Sequence, residues 1–427
     1  MVIPSLQGLT NSFKNIGFIS TRIAGTDGVS LEIEKWSEVL EQNGYHCFFF
    51  AGEIDRPESK SYRVEEAHFE HPDIVKIDKD VFGKQTRLPE TSTNIRKIKD
   101  HLKINLYNFL KKFDIDVIIP ENALTIPMNI PLGIAITEII AETGIPTIVH
   151  HHDFYWERNR FLINACKDYL DMAFPPDLPS IRHVVINSLA SRQLCYQRGI
   201  SNEIIPNVYN FSVPPLGAKK DSCYELRKEV GLKETDPFIL QPTRVVPRKW
   251  IERSIEIVRY LNLKNPILVI SHATGDEGDD YYLRILEYAK NMGVKIATLN
   301  HLITSKHRAN KNAEKLYTIE DIYQCADLVT YPSGYEGFGN AFLEAVYYKR
   351  PIVVNRYSIY ITDIEPKGFD VIAIDGFVTS KVIDQIHRVL DDQERLQQMV
   401  EKNFQLAKKS FSYEVLEEKL MHILKTF

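Results

Sequence analysis

Short apolar runs alternate with amphipathic stretches along almost the whole chain, and that alternation restricts the fold more than any single motif does. NIGFIS at residues 15–20 reads as a buried strand. A helix follows over 29–42, with Val29, Ile33, Trp36 and Leu40 at helical spacing; Gly44 is a stop signal and HCFFFA is the next strand. Residues 116–120, 146–150 and 184–187 read as further buried strands. After Phe211 the polar, Pro-containing SVPPLGAKKD reads as a linker. The alternation then restarts. Strands are expected over 238–242, 267–271, 295–298, 328–331 and 352–355, with helices over 251–261 and 281–292. This predicts an α/β chain of two Rossmann-like doubly wound domains with parallel sheets. Sheets of this kind bind ligands at the carboxyl ends of their strands, so a central cleft between the domains is expected. The 427 residues are also too many for one ordinary core.

Composition narrows the function classes. The chain is 44% hydrophobic and 26% charged, an ordinary globular balance, and its net charge of −5 gives no overall basic field for nucleic acid. The most apolar stretch, 115–150, is interrupted by Pro120, Glu121, Asn122, Pro127, Pro131, Glu138 and Pro146, so it does not read as a membrane span. Cys47, Cys166, Cys195, Cys223 and Cys325 are scattered and odd in number, which suggests free thiols in a reducing compartment. With no signal-peptide pattern at the N-terminus, the reading is cytoplasmic.

Four segments carry chemistry. The first is EGFGNAFLE, Glu336 to Glu344, which leaves a strand, turns through small residues and enters a helix near Asn340. Backbone N–H groups of Phe338, Gly339 and Asn340 would open that helix and suit an anion. Carboxylates at Glu336 and Glu344 suit sugar or ribose hydroxyls. By itself the segment is equally an ordinary strand–loop–helix joint with solvated glutamates. The second is QPTRVVPRKW, where Arg244 and Lys249 bracket the turn into a helix; cations so placed meet the charge of a departing diphosphate. Gly25-Thr-Asp-Gly28, the third, precedes the first long helix, with Asp27 either a contact or simply an N-cap. The fourth is HHHDFYWERNRF, from His150 to Phe161. In an extended segment only His150 and His152 share a face, and no third ligand lies nearby in sequence, so no metal site is expected there. Asp114-Ile-Asp116 reads as a strand entry rather than a metal motif.

These segments resemble the retaining glycosyltransferases of family 4 with the two-domain B fold (GT-B), over nearly the whole chain. EGFGNAFLE looks like that family's E-x7-E motif, with Pro332-Ser333 before it and Arg350-Pro-Ile-Val-Val after it. The resemblance implies that Glu336 contacts the donor sugar, that Glu344 contacts the ribose, and that backbone from Gly337 through Phe338 and Gly339 to Asn340 touches sugar and diphosphate. QPTRVVPRKW is similar to the family's G-R-x-x-x-x-K-G element, with Thr243 and Trp250 standing where glycines are usual; Arg244 and Lys249 then bind the diphosphate. His152 falls where the family has a His near the reaction centre. Gly28 is a donor contact by the same resemblance, and Asp27 would position the acceptor. Tyr155, Trp156, Arg158 and Arg160 suit an acceptor by their own chemistry, flat rings for a sugar and guanidinium forks for a carboxylate or phosphate, although the two arginines are equally read as surface charge on a loop. His272 would border the nucleotide.

The domains implied are 1–212 for the acceptor, 213–410 for the nucleotide sugar, and a terminal helix over 411–427 that crosses back. The partners implied are a nucleotide-sugar donor and a small glycoside acceptor, with no nucleic acid and no membrane span; a homo-oligomer is left open. No cofactor is required, and a divalent metal would at most stimulate. The motifs are most similar to those of members that move mannose from GDP-mannose to an acidic glycoside such as glucosylglycerate. UDP- or ADP-glucose as donor, a sugar-nucleotide epimerase and a non-catalytic sugar-nucleotide sensor are the alternatives.

Overall fold

The computed structural model describes residues 13–25, 27–215, 217, 220–272, 278–299 and 317–427. Thr26 and part of the expected linker lie outside the described residues. The chain forms two compact units, Met1–Pro206 together with Leu416–Phe427, and Asn207–Val415. The stretch 207–212 packs in the second unit: Tyr209 donates its N–H to Phe411 O at 2.9 Å, and Asn207 Nδ2 donates to Asn340 Oδ1 at 2.8 Å. The C-terminal segment is tied into the first unit, where the Arg182 guanidinium donates to Thr426 Oγ1 and to its carbonyl at 3.0 and 2.9 Å.

The first unit holds a seven-stranded sheet. Its strands are β1 (Asn15–Ile19), β2 (His46–Ala51), β3 (Ser61–Arg63), β4 (Val117–Pro120), β5 (Thr147–His151), β6 (Ile181–Val185) and β7 (Asn202–Ile204). The order is β3-β2-β1-β4-β5-β6-β7 and every pairing is parallel. The second unit holds six strands: β8 (Ile239–Gln241), β9 (Ile267–Ile270), β10 (Lys295–Thr298), β11 (Leu328–Tyr331), β12 (Ile352–Asn355) and β13 (Ile372–Ile374). Their order is β10-β9-β8-β11-β12-β13, again all parallel. Both sheets thus reverse direction once, between β1 and β4 and between β8 and β11. In doubly wound sheets ligands bind outside the carboxyl ends at such a reversal.

Parallel strands need crossover helices, which cover both faces of the sheet. The central strands β4, β5, β11 and β12 are accordingly buried at every residue. Helix α1 (Gly28–Gln42) shows how a crossover is specified. Asp27 caps its start, Ile33, Trp36 and Leu40 face inward with 1% exposure or less, and Gly44 leaves it at a positive φ of 85°. The apolar helix Ile130–Thr143 belongs to the first unit's core, and among the described residues no helix is long and apolar enough to cross a membrane.

The expectation of free cysteines is corrected at two positions. Cys223 and Cys325 form a disulfide with Cα atoms 5.2 Å apart, across 102 residues of sequence, while Cys47, Cys166 and Cys195 are free. Scattered spacing concealed the pair because the fold alone brings the helix Lys220–Glu229 beside the helix Ile319–Cys325. The cysteine pattern therefore gives no support to a reducing compartment. Closing so long a loop restricts the unfolded chain, and the expected effect is about 2–4 kcal/mol. Cys223→Ser should lower the unfolding free energy by that amount in urea titrations, as should reductant with the wild type. Equal midpoints with and without reductant would show that the bridge does not form.

Candidate functional site

In the second unit the loop after β11 lies against the turn after β8. Glu336 is 6% exposed, and its two oxygens are both engaged. Oε1 accepts from Lys249 Nζ, and Oε2 accepts from Arg248 Nη1 at 2.8 Å. Burial alone would raise the Glu336 pKa, but the charges of Lys249 and Arg248 outweigh it and hold the carboxyl below its usual range. Burial pushes Lys249 down despite its partner. Tyr331 lies under the ammonium at 5.4 Å from its ring centre. Arg244 is exposed and forms no ion pair among the described residues. Its charge and that of Lys249, after burial, depress His272 to about 4.

Polar contacts fix the backbone here. Gln241 Nε2 donates to Thr243 Oγ1 at 2.7 Å and Gln241 Oε1 accepts from Ser254 Oγ at 2.6 Å, so a threonine stands in place of the usual glycine with its hydroxyl engaged. Trp250 adopts the left-handed backbone conformation, φ 49° and ψ 46°, that a glycine would take at no cost. Its indole covers Gly334 so closely that a Cβ there would lie 2.4 Å from the ring. Gly339 begins the helix Asn340–Tyr347 at φ 126°, and a Cβ on it would meet the Tyr357 hydroxyl at 2.4 Å. That hydroxyl donates to Phe338 O at 2.7 Å. Phe338 itself is buried against Phe411, and Gly337 is half-buried. Within the helix, Glu344 Oε2 accepts from Tyr323 OH at 2.7 Å.

The first unit has its own cluster at the ends of β4 and β5. His150 and His152 share a face, as expected, and Glu121 lies between them: Oε1 is 2.7 Å from His150 Nδ1 and 2.5 Å from His152 Nε2. His151 points to the other face, within 3.0 Å of His183 and 2.6 Å of Thr125 Oγ1. Burial holds both His151 and His183 well below their usual range, the latter at about 4. Asp27 is occupied as a cap, accepting from the N–H groups of Val29 and Ser30, and it is paired with Arg22 at 3.2 Å. Gly28 opens α1.

Of the aromatic–cationic segment, Trp156 stacks on buried Phe154 at 4.4 Å and donates Nε1–H to Gln193. Tyr155 is half-buried beside it, edge-on to the Trp156 ring at 5.0 Å. Arg158 is exposed and bonded to Asp153 at 2.5 Å; Arg160 lies over Phe161 at 4.5 Å.

The structure therefore brings Glu336 and Lys249 together, adds Arg248, and leaves Arg244 open nearby. Arg248 stands in the same run as Arg244 and Lys249, but the Arg–Lys interval singles out only the other two. Glu121 interrupts an apolar stretch of the sequence, and a carboxylate directly after a buried strand is the signal that would have pointed to it. Tyr323 has no local signature and could be found only from the fold.

Residues 224–406 match the family model described as glycosyl transferases group 1. The chain is 32% identical to the mannosylglucosylglycerate synthase of Thermotoga maritima, over 94% of this chain and 98% of the relative. It is 33% identical to the protein of that name from Petrotoga mobilis, over 84% and 86%. Among solved structures it resembles a glycosyltransferase from Rickettsia africae (TM-score 0.66, 14% identity, 97% and 98% covered). It also resembles the sucrose-phosphate synthase of Thermosynechococcus elongatus (TM-score 0.65, 13% identity, 97% and 98% covered). Those two likenesses concern the fold, while the identity along nearly the full length concerns descent. The chain belongs to the group 1 glycosyl transferases, and it is a glycosyltransferase of the two-domain B fold.

Proposed function

We propose that this enzyme transfers mannose from GDP-mannose to glucosylglycerate with retention at the anomeric carbon. The observation that carries the reading is the identity to two mannosylglucosylglycerate synthases over most of the chain. The charge balance of the second unit supports a diphosphate donor. Glu336, Lys249, Arg248 and Arg244 sum to two net positive charges beside the end of β8, which suits a dianionic group. When a diphosphate arrives, Lys249 and Arg244 meet it. Glu336 stays ionised, and its oxygens accept hydrogen bonds from the sugar hydroxyls. Glu344, braced by Tyr323, takes the ribose hydroxyls.

The reaction then runs on one face of the sugar. The bond from the anomeric carbon to the diphosphate oxygen breaks, and the diphosphate keeps the electron pair. Lys249 and Arg244 stabilise that charge as it develops. The acceptor hydroxyl attacks from the same side and its proton passes to the departing phosphate oxygen. His152 acts on the transferred sugar. Arg158 and Arg160 hold the acceptor carboxylate, with Tyr155 and Trp156 beside the sugar ring. No metal is required in this scheme, and a divalent ion would at most stimulate.

Arg244→Ala and Lys249→Ala should each lower kcat by about a hundredfold or more, the scale of losing one charge donor in the transition state. Steady-state rates within a few-fold of wild type for both would remove them from the site. Arg158→Ala or Arg160→Ala should raise the acceptor KM by about tenfold to a hundredfold and leave the donor KM unchanged. Equal rates with glucosylglycerate and a neutral glucoside of the same size would sink the acidic-acceptor assignment. Activity should survive EDTA, and complete loss restored by Mg²⁺ would show a metal requirement.

A further inference from the structure

Glu121 is a costly residue where it stands. It follows β4 directly and is fully buried. One oxygen serves both neighbouring imidazoles, while Oε2 has no partner among the described residues. The His150 ring is not aligned for a hydrogen bond, and its Nε2 is likewise unpartnered. Trp36 lies flat on His150 at 4.2 Å, and His150 packs on His152 at 4.7 Å, so water is kept from that side. The side chain of His152 retains 13% exposure, whereas those of Glu121 and His150 have 0% and 1%. A buried carboxylate of this kind needs a compensating charge.

The three donor atoms lie within 4.8 Å of one another, close enough to suggest an ion. Two of the separations, 2.5 and 2.7 Å, are nevertheless shorter than the roughly 3 Å or more that two ligand atoms keep around one metal. The shorter one, at His152 Nε2, is a hydrogen bond to Glu121 Oε1, and the other is the approach of the His150 ring to the same charged oxygen.

We propose that Glu121 is a positioning residue that fixes the ring of His152 through Nε2–H and keeps it an imidazolium, leaving Nδ1–H as a charged donor to substrate. The proposal rests on the reading that His152 acts on the transferred sugar. The surroundings agree with it. Burial would lower the His152 pKa, but the hydrogen bond and charge of Glu121, with Glu32 and Asp153 beyond, raise it above 6.5. Burial would raise Glu121, yet the two imidazoles bring it to about 2. Glu32 on α1 is itself paired with Lys35 at 2.6 Å. His151 and His183, on the other face, are held neutral and add no competing charge. The sign follows. Activity that needs the imidazolium persists at low pH and is lost as pH rises through the raised His152 value.

The test is the pH dependence of kcat for wild type, Glu121→Gln, Glu121→Asp and His152→Asn, from about pH 5 to 10. Gln keeps the shape and an acceptor but removes the charge, so the alkaline limb should move down by about 1–3 pH units. Asp keeps the charge and should restore most of that shift. An unshifted limb in Glu121→Gln, with His152→Asn inactive, overturns the role of Glu121 alone. Wild-type kcat in His152→Asn overturns the reading of His152. NMR titration of the wild-type imidazoles, with His152 assigned from the Asn variant, reads the same quantity without a Glu121 variant. A His152 value above 6.5 supports the proposal and a value below it defeats it. Loss of activity on chelation that Zn²⁺ restores, with Glu121→Gln no longer binding the metal, would also overturn it.

Discussion

Parallel strand pairing governs both units. A parallel strand needs a long crossover before its neighbour can join it, and the crossover helix returns the chain to the same edge each time. All the loops that follow strands therefore emerge on one side of each sheet, and where the order reverses they part. Glu121 and His152 emerge after β4 and β5, and Arg244 and Glu336 after β8 and β11. Neither polar cluster is a local motif in the ordinary sense. Each is assembled from loops far apart in sequence because the hydrogen-bond ladder brings their starting points within a strand spacing or two.

That arrangement explains what could be read from sequence. Fully buried parallel strands are unbroken apolar runs, so the ranges expected at 328–331 and 352–355 are those of the structure. The helix at 28–42 was legible because its cap, its apolar stripe and its stop all agreed. The long helix Pro89–Phe113 went unread; it is studded with lysines and asparagine, and only one stripe, including Ile95, Leu102 and Leu106, is buried. Within the site, residues belonging to a contiguous motif could be nominated, whereas their partners could not. Tyr323 on Glu344, Glu121 on His152 and Cys223 on Cys325 each join positions that only tertiary structure brings together. Sequence also gave no sign that Asp153 would occupy Arg158 or that Glu336 would be held between two cations.

Buried charge is handled alike in the two clusters. Glu336 and Glu121 are each taken out of water at a strand end and each kept ionised by cationic or polarised hydrogen-bond donors. Removing one member of such a group strands the other, so alanine variants there combine chemical and structural effects. Substitutions that keep shape separate the two more cleanly.

Trp250 and Gly334 form a different kind of dependence. The indole holds a backbone conformation that favours glycine, and it occupies the space a side chain at 334 would need. Replacing Trp250 with glycine would relax the backbone but uncover the loop that carries Glu336, while any side chain at 334 would collide with the ring. The dependence has a direction: a side chain at 334 has no room until the tryptophan is gone, whereas the tryptophan can be lost while 334 stays glycine, so the order in which the two positions can change is fixed by the space the ring occupies.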